Sequence, residues 1–149
     1  MRRATFLLLV FLSVSCASSF GRRAPKLTSP RIVATFQRLG QTKEIRPVTL
    51  YTPPQWGTFR VSIVMVGTVA NGQDGAFWLG GLQFWDGAGE NLPGFETFAA
   101  VLSTSVRFTA VTEFPIRAKA GKPLKFSVAS NGDTSGSKYN VWVVVEQLM

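Results

Sequence analysis

Histidine is absent from all 149 residues. Without an imidazole, serine-histidine and cysteine-histidine nucleophilic systems are excluded, and so are histidine-ligated zinc, copper and iron sites. Cysteine occurs once, at Cys16, which removes thiolate clusters and any internal disulfide. A Gly-rich phosphate loop of the GxxxxGK type is missing; glycines sit at turn positions instead. No segment of helical length carries apolar residues at three- and four-residue spacing. Acids are missing from one region: residues 1–31 hold six basic residues and no carboxylate, so +6 of the net +8 lies there, and residues 32–149 carry only +2. The folded part is thus near neutral, which argues against a groove tracking nucleic-acid phosphates, and no cofactor is implied.

The basic N-terminal region reads as an export signal. Met1-Arg2-Arg3 is a charged start, Ala4 to Val14 is an apolar run too short to span a bilayer, and Ser15-Cys16-Ala17-Ser18-Ser19 supplies small residues for cleavage. Residues 1–16 are the expected signal peptide, which makes the protein exported: secreted, periplasmic or lipid-anchored at the cell surface. Cys16, preceded by Leu12-Ser13-Val14-Ser15, is similar to the lipid-modified cysteine of bacterial lipoproteins, with the Leu one place early; ordinary cleavage beside it is the other reading. Residues 17–30, ASSFGRRAPKLTSP, form a basic flexible linker. Its charge suits an anionic membrane surface if Cys16 carries an anchor.

Residues 31–149 form one domain of a size that supports a real core. Short strands follow one another between Gly, Pro and Asn turns, about eight or nine of them, which predicts an all-β antiparallel sandwich of jelly-roll type. Its centre is expected in residues 57–85, two apolar strands joined through Asn71-Gly72 and Asp74-Gly75 and read as a hairpin. Phe59, Val61, Ile63 and Met65 alternate with Arg60 and Ser62 in the first strand. From Val64 onward both faces are apolar, which predicts a central strand covered on both sides at its far end. Gly80-Gly81 in mid-strand signals a bulge or a close backbone approach. Val141, Val143, Val144 and Val145 place the last strand in the core.

The run Leu50 to Ser62 (LYTPPQWGTFRVS) resembles the strand that opens with Gly, any residue, aromatic in C1q and tumour-necrosis-factor-like jelly rolls. Tyr139-Asn140-Val141-Trp142-Val143 is similar to their closing strand. The resemblance implies a compact jelly roll used for binding rather than catalysis, often as a trimer.

Three functional readings follow. The first is a non-catalytic module with a surface or extracellular binding or structural role, its ligand a protein or a glycan. The alternative is a carbohydrate-binding module in which Trp56, Trp78 and Trp85 offer flat rings for stacking; core filling or subunit contact is the competing reading. Trp78 and Phe84 share parity and Trp85 has the other, so without a bulge the rings cannot all face one way. The third is a glycosidase built on a carboxylate pair, but nothing in the spacing of Asp74, Asp86, Glu90, Glu96, Glu113 and Glu146 selects one. Asp86 and Glu90, with Asn91, offer oxygen ligands for calcium in one loop without the dense alternating acids of an established calcium loop.

Overall fold

The computed structural model describes residues 29–87, 92–102 and 109–148, residues 92–102 by their backbone. The expected signal peptide, Cys16, nearly all of the linker, and Glu90 and Asn91 lie outside the described residues. Among the described residues there are eight strands: β1 (Arg31–Gln41), β2 (Ile45–Tyr51), β3 (Gly57–Val69), β4 (Phe77–Phe84), β5 (Leu92–Leu102), β6 (Thr109–Ala118), β7 (Leu124–Asn131) and β8 (Lys138–Gln147). They form two four-stranded sheets, β1-β8-β3-β6 and β2-β7-β4-β5, with every pairing antiparallel.

The pairs β1·β8, β2·β7, β3·β6 and β4·β5 are nested, as in a long two-stranded ribbon whose tip is the β4–β5 reversal, wound so that successive strands alternate between sheets. That winding is the jelly roll. It corrects the hairpin expected over residues 57–85. β3 and β4 are not hydrogen-bonded neighbours; they lie in opposite sheets and face each other through the core. The seven residues between them, with Gly72 and Gly75 at positive φ, are long enough to bridge the roughly 10 Å between packed sheets, where a two-residue turn would have kept the strands paired.

β3 is nevertheless central, flanked by β8 and β6. Its period-two pattern buries Phe59, Val61, Ile63 and Met65 completely, and they meet Val141, Val143 and Val145 of β8, Ile116 and Ala118 of β6, and Leu82, Leu124 and Phe126 from the opposite sheet. Each such side chain contributes about 1.5–3 kcal/mol on burial, which is where stability resides in a domain without a disulfide. Val144 departs from the expected core set and points outward, because a strand inside a two-layer sandwich buries alternate residues only. The edge strands β2 and β6 carry Pro47 and Pro115, which withhold a donor from would-be partners.

Candidate functional site

Three turns meet at one end of the sandwich: residues 52–56 between β2 and β3, residues 85–87 after β4, and residues 119–123 between β6 and β7. Backbone hydrogen bonds tie them together. Lys119 N donates to the Trp85 carbonyl at 2.8 Å, Gly121 N to the Pro53 carbonyl at 2.8 Å, and Lys122 N to the Lys119 carbonyl at 3.3 Å. The buried Pro53 fixes its turn, and Gly121, with φ of 70°, closes the β6–β7 reversal.

This frame sets two tryptophans side by side with cations. Trp56 is 43% exposed, and the Arg117 guanidinium stands 5.6 Å from its ring centroid. Trp85 is half-buried, with Lys122 Nζ at 4.6 Å from its ring. Contacts of this kind contribute about 0.5–1 kcal/mol at exposed sites and hold the charge over the ring. Gly87, with φ of 88°, abuts the tip of the Trp56 ring. An open cleft of 330 Å3 beside Trp56 is lined by Trp56, Gly57, Thr58 and Arg117.

Trp78 belongs elsewhere. It is 2% exposed; its ring lies 4.8 Å from that of Tyr139, and its Nε1 donates to Ser137 Oγ at 2.9 Å in the interior. A ring so enclosed has no face for a sugar, which corrects its place among the stacking residues: in the alternation of β4, position 78 points inward with Gly80 and Leu82. Asp86 sits between Trp85 and Gly87, half-buried, and its expected calcium partner Glu90 lies outside the described residues. Among the described residues no group of three or more His, Cys, Asp or Glu side chains converges to hold a metal ion.

Four other carboxylates among the described residues are engaged in structure. Glu113 and Glu146 both pair with Arg60 on the outer face of the β1-β8-β3-β6 sheet, Glu113 at 3.3 Å, and these two carboxylates hold the guanidinium above its already high pKa. Glu44 accepts from Ser130 N at 2.9 Å and Ser130 Oγ at 2.8 Å, and these donors hold its carboxyl below the usual range. Asp133 is lowered in the same way by Ser135. Burial and the charge of Glu44 push the Tyr139 phenol up; its hydroxyl donates to the Lys43 carbonyl at 2.9 Å.

A second surface lies on the outer face of that same sheet. Trp142 of β8 stands opposite Val64 of β3, and Val64 opposite Val111 of β6, so a cross-strand row of apolar residues runs over three strands. Val111 is 66% exposed. Val66 and Val144 flank the row, and the Arg60 ion pairs border it on one side.

Sequence reasoning named Trp56 and Trp85 and missed Arg117, Lys119 and Lys122. A charge balance averaged over residues 32–149 hides three cations that the β6–β7 turn concentrates at one end. The alternation Arg117-Ala118-Lys119, with Lys122 after the turn glycine, is the signal that marks them.

No family profile and no curated protein matches the chain. Among solved structures it is similar to Eiger TNF from S. frugiperda, with 15% identity, a TM-score of 0.41, and coverage of 80% of this chain and 94% of that one. The jelly roll itself is established by the strand order.

Proposed function

We propose that the protein is an exported, non-catalytic β-sandwich module that works by binding, and that it self-associates through the outer face of the β1-β8-β3-β6 sheet. The observation that carries this reading is the row Trp142, Val64 and Val111, with Val111 two-thirds exposed in the single chain. Large β-branched and aromatic side chains aligned on an outward face match the apolar centre of a subunit contact, and the bordering Arg60, Glu113 and Glu146 match its polar rim. The resemblance of residues 50–62 and 139–143 favours a trimer. Engagement of Glu44, Glu113, Asp133 and Glu146 in hydrogen bonds and ion pairs favours a non-catalytic role.

Analytical ultracentrifugation of the wild type and Val111→Lys tests the assembly. The wild type sediments as an oligomer and the variant as a monomer with an unchanged circular dichroism spectrum; a wild type that stays monomeric at every concentration refutes it. Mass spectrometry of the mature N-terminus decides between cleavage beside Cys16 and an acylated Cys16. The saccharide alternative narrows to Trp56 and Trp85, the exposed and half-buried rings brought to one end.

A further inference from the structure

The described domain begins and ends at its tryptophan end. Arg31, the first residue of β1, stands opposite Gln147 of β8, and Gln147 opposite Phe59, three residues after Trp56. Leu148 N donates to the Thr58 carbonyl at 2.8 Å in the same place. Residues 17–30, which carry three basic residues and no acid, are therefore joined to the domain at Arg31, at the end that holds Trp56, Trp85, Arg117, Lys119 and Lys122.

From this juxtaposition we propose that the tryptophan end docks on an anionic lipid surface, with Trp56 and Trp85 at the headgroup level and Arg117, Lys119 and Lys122 on the lipid phosphates and carboxylates. Charge complementarity is the first argument. Arg117 and Lys119 are exposed, Lys122 is partly so, and among the described residues none of the three is ion-paired. Asp86 is the one acid in residues 52–56, 85–87 and 117–123. A guanidinium is weakly hydrated and binds phosphate bidentately, and a cation held over a ring is already placed where a headgroup would meet it. Indole rings with an apolar body and an N–H favour the bilayer interface.

The position of the N-terminal segment is the second argument. A basic stretch joined to β1 at this end is tied beside the same surface, so a tether N-terminal to Arg31 pulls on the tryptophan end rather than on the far loops around Asn71 and Asp133. A saccharide is the weaker occupant: among the described residues the cleft beside Trp56 is lined by Trp56, Gly57, Thr58 and Arg117, too few polar groups to define a sugar. The docking surface does not depend on self-association, and ultracentrifugation and vesicle binding can fail independently.

The test is co-sedimentation of the full chain with vesicles of phosphatidylcholine, alone or with phosphatidylserine. The wild type prefers the serine-containing vesicles, and Arg117→Gln/Lys119→Gln/Lys122→Gln weakens binding to them by about fivefold per charge, about a hundredfold in all. The N-terminal segment is common to both chains and cancels in the comparison. The conservative Lys119→Arg/Lys122→Arg retains binding, and matched unfolding midpoints show that the variants are folded. Tryptophan emission shifts to the blue on serine-containing vesicles, and this shift disappears in Trp56→Phe/Trp85→Phe. Equal binding of the wild type and the triple glutamine variant overturns the proposal. So does retention on heparin or polygalacturonate without vesicle binding, which would assign this end to an acidic saccharide.

Discussion

Gly80 of β4 lies against Met65 of β3 across the core, so close that a Cβ on Gly80 would fall 2.7 Å from the Met65 Sδ, with two carbons of the Phe126 ring at 3.4 and 3.5 Å. The two sheets meet here without a side chain from β4. Met65 is fully buried, so moving its sulfur displaces packed neighbours. Gly80→Ala is therefore expected to destabilise the fold by about 1–3 kcal/mol, the usual range for overpacking, against a smaller gain in chain entropy. Urea unfolding reads this as a lowered midpoint at constant slope. Met65→Ala should cost less in the Gly80→Ala chain than in the wild type, since the added methyl and the removed side chain share one volume.

Trp78 and Ser137 form a buried relay: the indole N–H donates to Ser137 Oγ, which donates to the Thr134 carbonyl at 2.7 Å. Ser137→Ala leaves the indole donor buried without a partner and is expected to cost about 1–3 kcal/mol. In a Trp78→Phe background the same substitution should cost much less, because the orphaned donor is gone. Equal costs in the two backgrounds would show that the bond contributes nothing.

Much of the sandwich is legible in period-two alternation, because burial in a two-layer fold is decided residue by residue. Phe59, Val61, Ile63 and Met65 fall in the core as their spacing predicts, whereas of the expected run Val141, Val143, Val144 and Val145 alternation turns Val144 outward. Gly80-Gly81 shows both expected features, a close approach to Met65 and a register shift against β5. What alternation does not encode is which strand pairs with which. Asn71-Gly72 and Asp74-Gly75 mark a reversal, but a reversal that stays within a sheet and one that crosses to the other use the same residues. The candidate site was half legible for a related reason. Trp56 and Trp85 are conspicuous, whereas their meeting with Arg117 and Lys122 depends on turns far apart in the chain.

Acid should loosen the end of the sandwich opposite Trp56 and Trp85. Glu44 bridges the start of β2 to Ser130 of β7, and its pKa is depressed in the fold by the Ser130 donors. A depressed carboxyl contributes stability that is fully present above its unfolded pKa and is lost as pH falls through the lower folded value. The loss therefore begins near pH 4, where free glutamate titrates, and deepens below it. Asp133, lowered by Ser135, acts in the same direction. Thermal melts from neutral to acid pH should show Glu44→Gln with a shallower acid limb than the wild type; superimposable limbs would remove Glu44 from the account.

Ser127 is 3% exposed on the outer side of β7, and its Oγ has no hydrogen-bond partner. Between Ile45 and Val48 the pairing of β2 with β7 shifts register, so Arg46 and Pro47 together stand opposite Ser127, and Pro47 has no N–H to offer. A buried hydroxyl without a partner forfeits its hydration for nothing. Ser127→Ala is accordingly expected to be neutral or to stabilise by up to about 1 kcal/mol, against the usual sign for a substitution in a packed interior. Denaturant unfolding measures it. A loss of more than about 1 kcal/mol would instead place a bound water in the adjoining 170 Å3 cavity between Pro47 and Ala129, bonded to the Ser127 hydroxyl.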